Sequence, residues 1–243
     1  MISNGRAEIV AGRASRVGNF DLLGYDLRGY DELYEEKFDL LRLINEEEVV
    51  NWEGKFRAPL KDAHILPRPK SSSLPIWRAV GGPPASAKKA GRAGVPMYLA
   101  MLGGPATPLK YSIDVYRQTL EQYGFDSSEY PVATAGFFYA SETTQQAQKE
   151  TYPFLNAGMM RTNGRGYPKQ HFAQGADPRN VMNIGSPQEI IQKILYQHEM
   201  FGHQRYIGQM DFGGIPFDKL MKNIVLIGEH ILPAVKNTQK KNK

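Results

Sequence analysis

A small set of residues in this chain has the type and spacing to do chemistry. Gly81-Gly82-Pro83-Pro84 follows the apolar run Pro75 to Val80 and precedes an Ala-rich stretch. A glycine pair between a strand and a helix lets backbone come close to a phosphate at the positive helix end. The same four residues also make an ordinary turn. Pro83 and Pro84 carry no N–H, so an anion held there must take its contacts from Gly81, Gly82, Ala85 and Ser86, with Val80 leading in from the strand. Arg13 follows Gly12 at the end of another apolar run. Its guanidinium can pair with an anionic ligand group, or bond loop carbonyls at the surface, and Gly12 lets the backbone run close to a ligand. Asp211 ends the last apolar run, where a carboxylate either orients a hydrogen bond or caps the following turn. His171 lies in a Gly-, Arg- and Asn-rich stretch, where it either meets substrate or faces solvent. The remaining histidines, His64, His198, His203 and His230, make no metal pattern, because His198 and His203 are five apart and do not share a helix face. With Cys 0 there is no thiolate ligand, cysteine nucleophile or disulfide.

The elements that must position these groups alternate. Ala7 to Ala11 reads as a buried strand ending in Gly12-Arg13-Ala14-Ser15, and Asp31 caps a helix with Leu33, Phe38, Leu40, Leu41 and Ile44 near one face. Val49 to Ile65 reads as an irregular hairpin, and Pro67 to Ser73 as a loop. Strand Pro75 to Val80 leads through the glycine turn to a helix, Ala85 to Ala93, closed by Gly94. Strand Pro96 to Leu102 carries Tyr98 and Met101 as possible pocket residues, and Thr107 reads as the cap of a helix with Pro108 at its first position, ending at Gly124. Strand Val132 to Tyr139 is followed by a helix capped by Ser141 and running to about Ala157, then by a long loop, Gly158 to Asn183, that is a candidate lid. Ser186-Pro187-Gln188-Glu189 is a capping box, Arg205 to Met210 a strand, and Lys219 to Leu232 a final helix stopped by Pro233.

Five strands alternating with helices predict an α/β fold with parallel pairing and a ligand site outside the carboxyl ends of the strands. The pattern alone leaves open a (β/α) barrel and an open flavodoxin-like sheet. Composition narrows the function classes. The net charge of +5 includes Lys236, Lys240, Lys241 and Lys243 of a basic tail, so the body carries only about +1, with no basic helix face for nucleic acid. No apolar run approaches the ~20 residues of a membrane span, and the first residues lack a signal-peptide core. Together these predict a cytoplasmic protein with one domain, residues 1–235, and a disordered tail, residues 236–243.

Ser3 to Arg13, Pro67-Arg68-Pro69 leading into Pro75-Ile76-Trp77, Ala79-Val80-Gly81-Gly82, Gly185 to Glu189, and Gln209-Met210-Asp211 resemble, in order and spacing, the bacterial luciferase-like flavin monooxygenases. The resemblance spans about residues 3–235. It implies a partial TIM barrel of about five parallel strands with a small hairpin insertion. The strand at Ala7 to Ala11 matches the family's fourth, so the family's first three strand-helix units have no counterpart here. It also implies reduced FMN, or a deazaflavin in some branches, held by Gly12, Arg13, Val80, Gly81, Gly82 and Ser86, with His171 and Asp211 toward substrate. The family's catalytic histidine comes from the portion without a counterpart, so no catalytic residue is assigned. The expected activity is oxidation of a small organic substrate with O2, supplied with reduced flavin by a reductase. The competing expectation is a catalytically silent flavin-binding or split-enzyme subunit that needs an amino-terminal partner chain. The exposed strand edges of an incomplete barrel point to a homo-oligomer or such a partner.

Overall fold

The computed structural model describes residues 3–13 and 18–241, so Ala14 and Ser15 of the first loop lie outside the described residues. The chain divides into two compact units, Met1–Ala79 and Val80–Lys243.

In the first unit, β1 (Ile9–Ala11) runs parallel to β4 (Ile76–Val80), with Ile9 opposite Ile76 and Ala11 opposite Arg78. Between them come α1 (Gly18–Leu23), one 3-10 turn (Leu27–Gly29), α2 (Tyr30–Glu46), and the antiparallel hairpin of β2 (Val49–Trp52) and β3 (Leu60–His64). The helix starts one residue before the expected cap. Gly29 is its N-cap without a side-chain bond, and Asp31 sits in the first turn. Glu36 of α2 holds the hairpin turn by accepting from the N–H groups of Lys55 at 2.7 Å and Phe56 at 3.0 Å. Arg68 closes the other end of α2. Its guanidinium donates to the carbonyls of Ile44, Asn45 and Glu47 at 2.8, 2.8 and 3.0 Å, the orphan acceptors of a helix C-terminus.

The second unit is built on β6 (Val132–Ala140), every residue of which is buried. β5 (Met97–Met101) lies parallel along its first half, from Met97 opposite Val132 to Met101 opposite Gly136. β8 (Arg205–Gln209) is also parallel, from Ala133 opposite Arg205 to Phe137 opposite Gln209. A three-residue strand, β7 (Asn183–Gly185), continues alongside Phe138 to Ala140. This strand was not expected, since it lies at the end of the stretch read as a loop and is too short for a periodic signal. The fold class is as expected, an α/β partial TIM barrel of parallel strands and covering helices.

The helices of this unit are α3 (Pro84–Arg92), α4 (Thr107–Gln122), α5 (Thr144–Asn163), α6 (Lys169–Ala173), α7 (Pro187–Phe201), α8 (Phe217–Leu226) and α9 (Leu232–Lys241). Several boundaries differ from expectation. Thr107 and Pro108 are the first helical residues of α4 and its N-cap is Ala106. Thr143, not Ser141, caps α5 by accepting from the Gln146 N–H at 3.2 Å. That helix runs through Pro153 and Gly158 to a left-handed cap at Gly164. Gly158 reads as a stop, but its missing side chain answers a different need, because a Cβ there would strike the Phe212 carbonyl. The candidate lid is therefore largely helix, α5 followed by α6 and one 3-10 turn. Pro233 does not end the final helix either. A π turn at Ile227–Ile231 shifts the hydrogen-bond register just before it, and α9 carries on into the stretch read as a disordered tail. Ser186 caps α7 as expected, its Oγ accepting from the Glu189 N–H at 3.4 Å, but the Ser186 N–H donates to Thr144 Oγ1 at 3.0 Å, so the reciprocal half of the capping box is not formed. Among the described residues no helix is long and apolar enough to cross a membrane.

α3 packs on α4 through its small face, Ala87, Ala90 and Gly91, all buried. A Cβ at Gly91 would lie 2.7 Å from Thr119 Cβ and 2.8 Å from the Tyr116 carbonyl oxygen. Helix propensity alone favours Gly91→Ala by ~1 kcal/mol, whereas overpacking against backbone costs about 1–3 kcal/mol. We expect the clash to prevail and the urea midpoint of Gly91→Ala to fall; a rise would mean that α3 can back away from α4.

Candidate functional site

The glycine turn lies where β4 passes into α3. Gly82 has φ +110°, a conformation that favours glycine, and a Cβ at Gly81 would meet nothing within 4 Å. Space is therefore open beside Gly81. Pro83 is the extended N-cap of α3 and Pro84 its first residue. The first turn of α3 carries no acid, so nothing there neutralises the positive end of the helix. Ser112 of α4 is fully buried and donates its hydroxyl hydrogen to the Gly82 carbonyl, which ties the turn to the α3–α4 pair. The Ser86 N–H donates to the Pro83 carbonyl at 3.0 Å, so a ligand contact from Ser86 falls to its side chain. Val80 is 1% exposed and packs in the core with Ala87, Met97 and Ile113, which leaves only its backbone for a ligand.

Gly12 and Arg13 belong to the first unit and line a small cavity of about 170 Å³ with Phe20, Tyr25, Tyr30 and Tyr34. The Arg13 guanidinium pairs with Asp31 at 2.6 Å and lies 5.3 Å from the Tyr30 ring centroid. Asp31, expected as a helix cap, is thus an arginine partner. Tyr34 donates its hydroxyl to the Ala11 carbonyl at 2.9 Å, and burial pushes its phenol pKa up. A Cβ at Gly12 would come within 3.2 Å of Ala79 Cβ, so close strand packing already calls for glycine at this position.

His171 lies exposed in the last turn of α6. Asp211 Oδ1 accepts from the N–H groups of Gly213, Gly214 and Ile215 at 3.0, 2.8 and 3.2 Å. These backbone donors hold its carboxyl below the usual range, the behaviour of a turn cap.

A family model for luciferase-like monooxygenases matches residues 1–204. The chain belongs to the luciferase-like monooxygenase family. Among solved structures, the monooxygenase RslO1 from Streptomyces bottropensis is 25% identical, with TM-score 0.80, covering 96% of this chain and 70% of its own. The oxygenating constituent of 3,6-diketocamphane monooxygenase from Pseudomonas putida, a type II Baeyer–Villiger monooxygenase solved in complex with FMN, shares 17% identity at TM-score 0.68, covering 96% and 72%. The coenzyme F420-dependent tetrahydromethanopterin reductase from Methanopyrus kandleri also shares 17% identity, at TM-score 0.66, covering 96% and 75%. No curated protein matches the chain.

This luciferase-like chain holds two polar centres that sequence reasoning missed. Arg78 is 4% exposed, pairs with Glu35 at 2.6 Å, and stacks 4.9 Å from the Tyr34 centroid and 5.1 Å from that of Phe38. Glu35 of α2 is its counter-ion. Lys193 of α7 is 4% exposed and donates to the carbonyls of Gly175 and Met182, the latter at 2.7 Å. It pins both ends of the segment between α6 and β7. Its spacing with Ile190, Ile194 and Gln197 was the available signal, since these positions share one helix face.

Burial pulls the Lys193 pKa down to about 8. The unfolded chain keeps this proton to about pH 10.4, so between the two values the unfolded state binds more protons and stability rises with pH. We expect the Lys193 contribution to raise unfolding free energy by about 1–2 kcal/mol from pH 8 to 9.5. Urea melts should show that rise in the native chain and lose it in Lys193→Met; identical pH slopes would place the ammonium in water.

Proposed function

We propose that the chain binds a flavin through its phosphate at the turn between β4 and α3, and that the family's oxidoreductase chemistry takes place on that flavin. The observation that carries this reading is the local chemistry of the turn. Gly82 adopts a glycine conformation, the space beside Gly81 is open, and the helix that follows has no acid in its first turn. Backbone N–H groups and a helix N-terminus together make an anion site. The flavin in the diketocamphane enzyme and the F420 dependence of the reductase support a flavin-type cofactor here. FMN is our choice between them. When bound, it supplies the redox and oxygen chemistry. This chain's residues would anchor its phosphate through Gly81, Gly82, Ala85 and the Ser86 side chain. Arg13, held by Asp31 and the Tyr30 ring, is assigned to the cofactor on the family resemblance. His171 and Asp211 are assigned to the substrate side, with the Asp211 backbone bonds setting the shape of its loop. The expected reaction is oxidation of a small organic substrate with O2, with reduced FMN delivered by a reductase in the cytoplasm.

The second reading is a flavin-binding subunit that turns over only with an amino-terminal partner chain; this chain spans 70% and 72% of the length of the two monooxygenase neighbours. Oxygen uptake by the chain alone, with NADH and a flavin reductase, supports the enzyme; uptake only on adding such a partner supports the subunit.

Gly82→Val forces a branched side chain into φ +110°, and we expect it to weaken FMN binding at least tenfold in fluorescence titration. Riboflavin, which lacks the phosphate, should bind native and Gly82→Val proteins alike. Arg13→Ala should weaken FMN about threefold to tenfold. An unchanged FMN affinity in folded Gly82→Val would remove the phosphate from this turn, and in Arg13→Ala would remove Arg13 from the site.

A further inference from the structure

A cavity of about 410 Å³ lies on the helix-facing side of β8. Tyr206, Gly208 and Met210 form its floor, and Ile194 of α7 faces Ile231 and Val235 across it. The floor stays low because Gly208 has no side chain; a Cβ there would lie 2.9 Å from Phe138 Cβ. Lys236 and the Gln204 amide offer hydrogen-bond donors, and among the described residues no Asp or Glu lines the cavity. His198 Nδ1 lies 2.9 Å from the His203 carbonyl and donates to it, which fixes the orientation of the ring. His203 is 4% exposed, packed against His198 with ring centroids 5.6 Å apart. Burial pulls its pKa down to about 4, so it stays neutral near pH 7 and Lys236 is the formal charge at the opening.

Small-molecule sites occupy about 300–1,000 Å³, mostly apolar with a few placed polar groups. At about 30 Å³ for each water-sized group, this cavity has room for roughly a dozen non-hydrogen atoms. An apolar body with one anionic head satisfies both halves of the lining. A cationic amphiphile would meet Lys236 with no carboxylate to pair with.

We propose that this cavity binds a medium-chain carboxylate, its alkyl chain on Ile194, Ile231 and Tyr206 and its head group at Lys236 and the Gln204 amide, beside the His198 ring. The site involves none of the residues assigned to flavin, so it stands or falls apart from the proposed function.

The test is titration of the full chain with sodium octanoate, and with octylamine as the charge-reversed control, followed by calorimetry and by histidine ring proton NMR. Saturable octanoate binding should shift the His198 and His203 signals, leave His64 and His171 in place, and have no octylamine counterpart. Lys236→Glu should weaken octanoate at least fivefold, and Val235→Trp, which fills the space, should abolish binding while FMN titration stays unchanged. If Val235→Trp does not fold, the native NMR titration decides. No saturable octanoate binding, an equal response to octylamine, or equal shifts at His64 and His171 would overturn the proposal.

Discussion

Gly91 has no side chain because α4 occupies the space where one would be, with Thr119 Cβ and the Tyr116 carbonyl less than 3 Å from an added Cβ. This contact sets how closely α3 lies on α4, and the glycine turn depends on that distance. Ser112, one helical face along α4, can reach the Gly82 carbonyl only while α3 and α4 stay this close. Tyr116 strengthens the same wall by donating its buried hydroxyl to the Val95 carbonyl at 2.8 Å. The small residues of α3 are thus a packing requirement.

The C-terminal segments are assembled on β6 by similarly close contacts. Gly158 and Gly213 let α5 lie directly against the loop after β8, where Arg161 donates to the Gly213 carbonyl at 2.8 Å. Lys193 reaches across to Gly175 and Met182, and Asn183 and Gln197 exchange amide hydrogen bonds at 3.2 Å beside it. A buried ammonium with two carbonyl acceptors is costly to break, because losing the cation orphans both acceptors. The segment between α6 and β7 is therefore tied at both ends, and what looks like loop in composition is ordered there by side chains that come from α7.

How much of this could be read in advance depends on the scale of the signal. Strands β4, β5, β6 and β8 were legible because each is an apolar run between turn residues, and α7 because Ser186-Pro187-Gln188-Glu189 has the spacing of a helix start and Ser186 caps it. β7 was not legible, since three residues carry no period and its pairing partner lies more than 40 positions away in the chain. Gly158 misled because the same residue that breaks a helix in isolation permits close packing in a folded chain. Pro233 misled because a π turn changes which N–H groups the helix needs. For the candidate site, the glycine turn could be found from its place between strand and helix, but the partners of Arg13 and Arg78 could not. Asp31 reads as a helix cap and Glu35 as one more acid of the same helix, and neither shows an arginine partner until the chain folds.

The central claim is that the turn fixed by the α3–α4 contact holds the phosphate of a flavin. A crystal structure of the chain grown with FMN tests it most directly. The account expects phosphate density within hydrogen-bond distance of the backbone at Gly81, Gly82 and the first turn of α3. Clear FMN density with its phosphate elsewhere, and this turn facing only solvent, would contradict it.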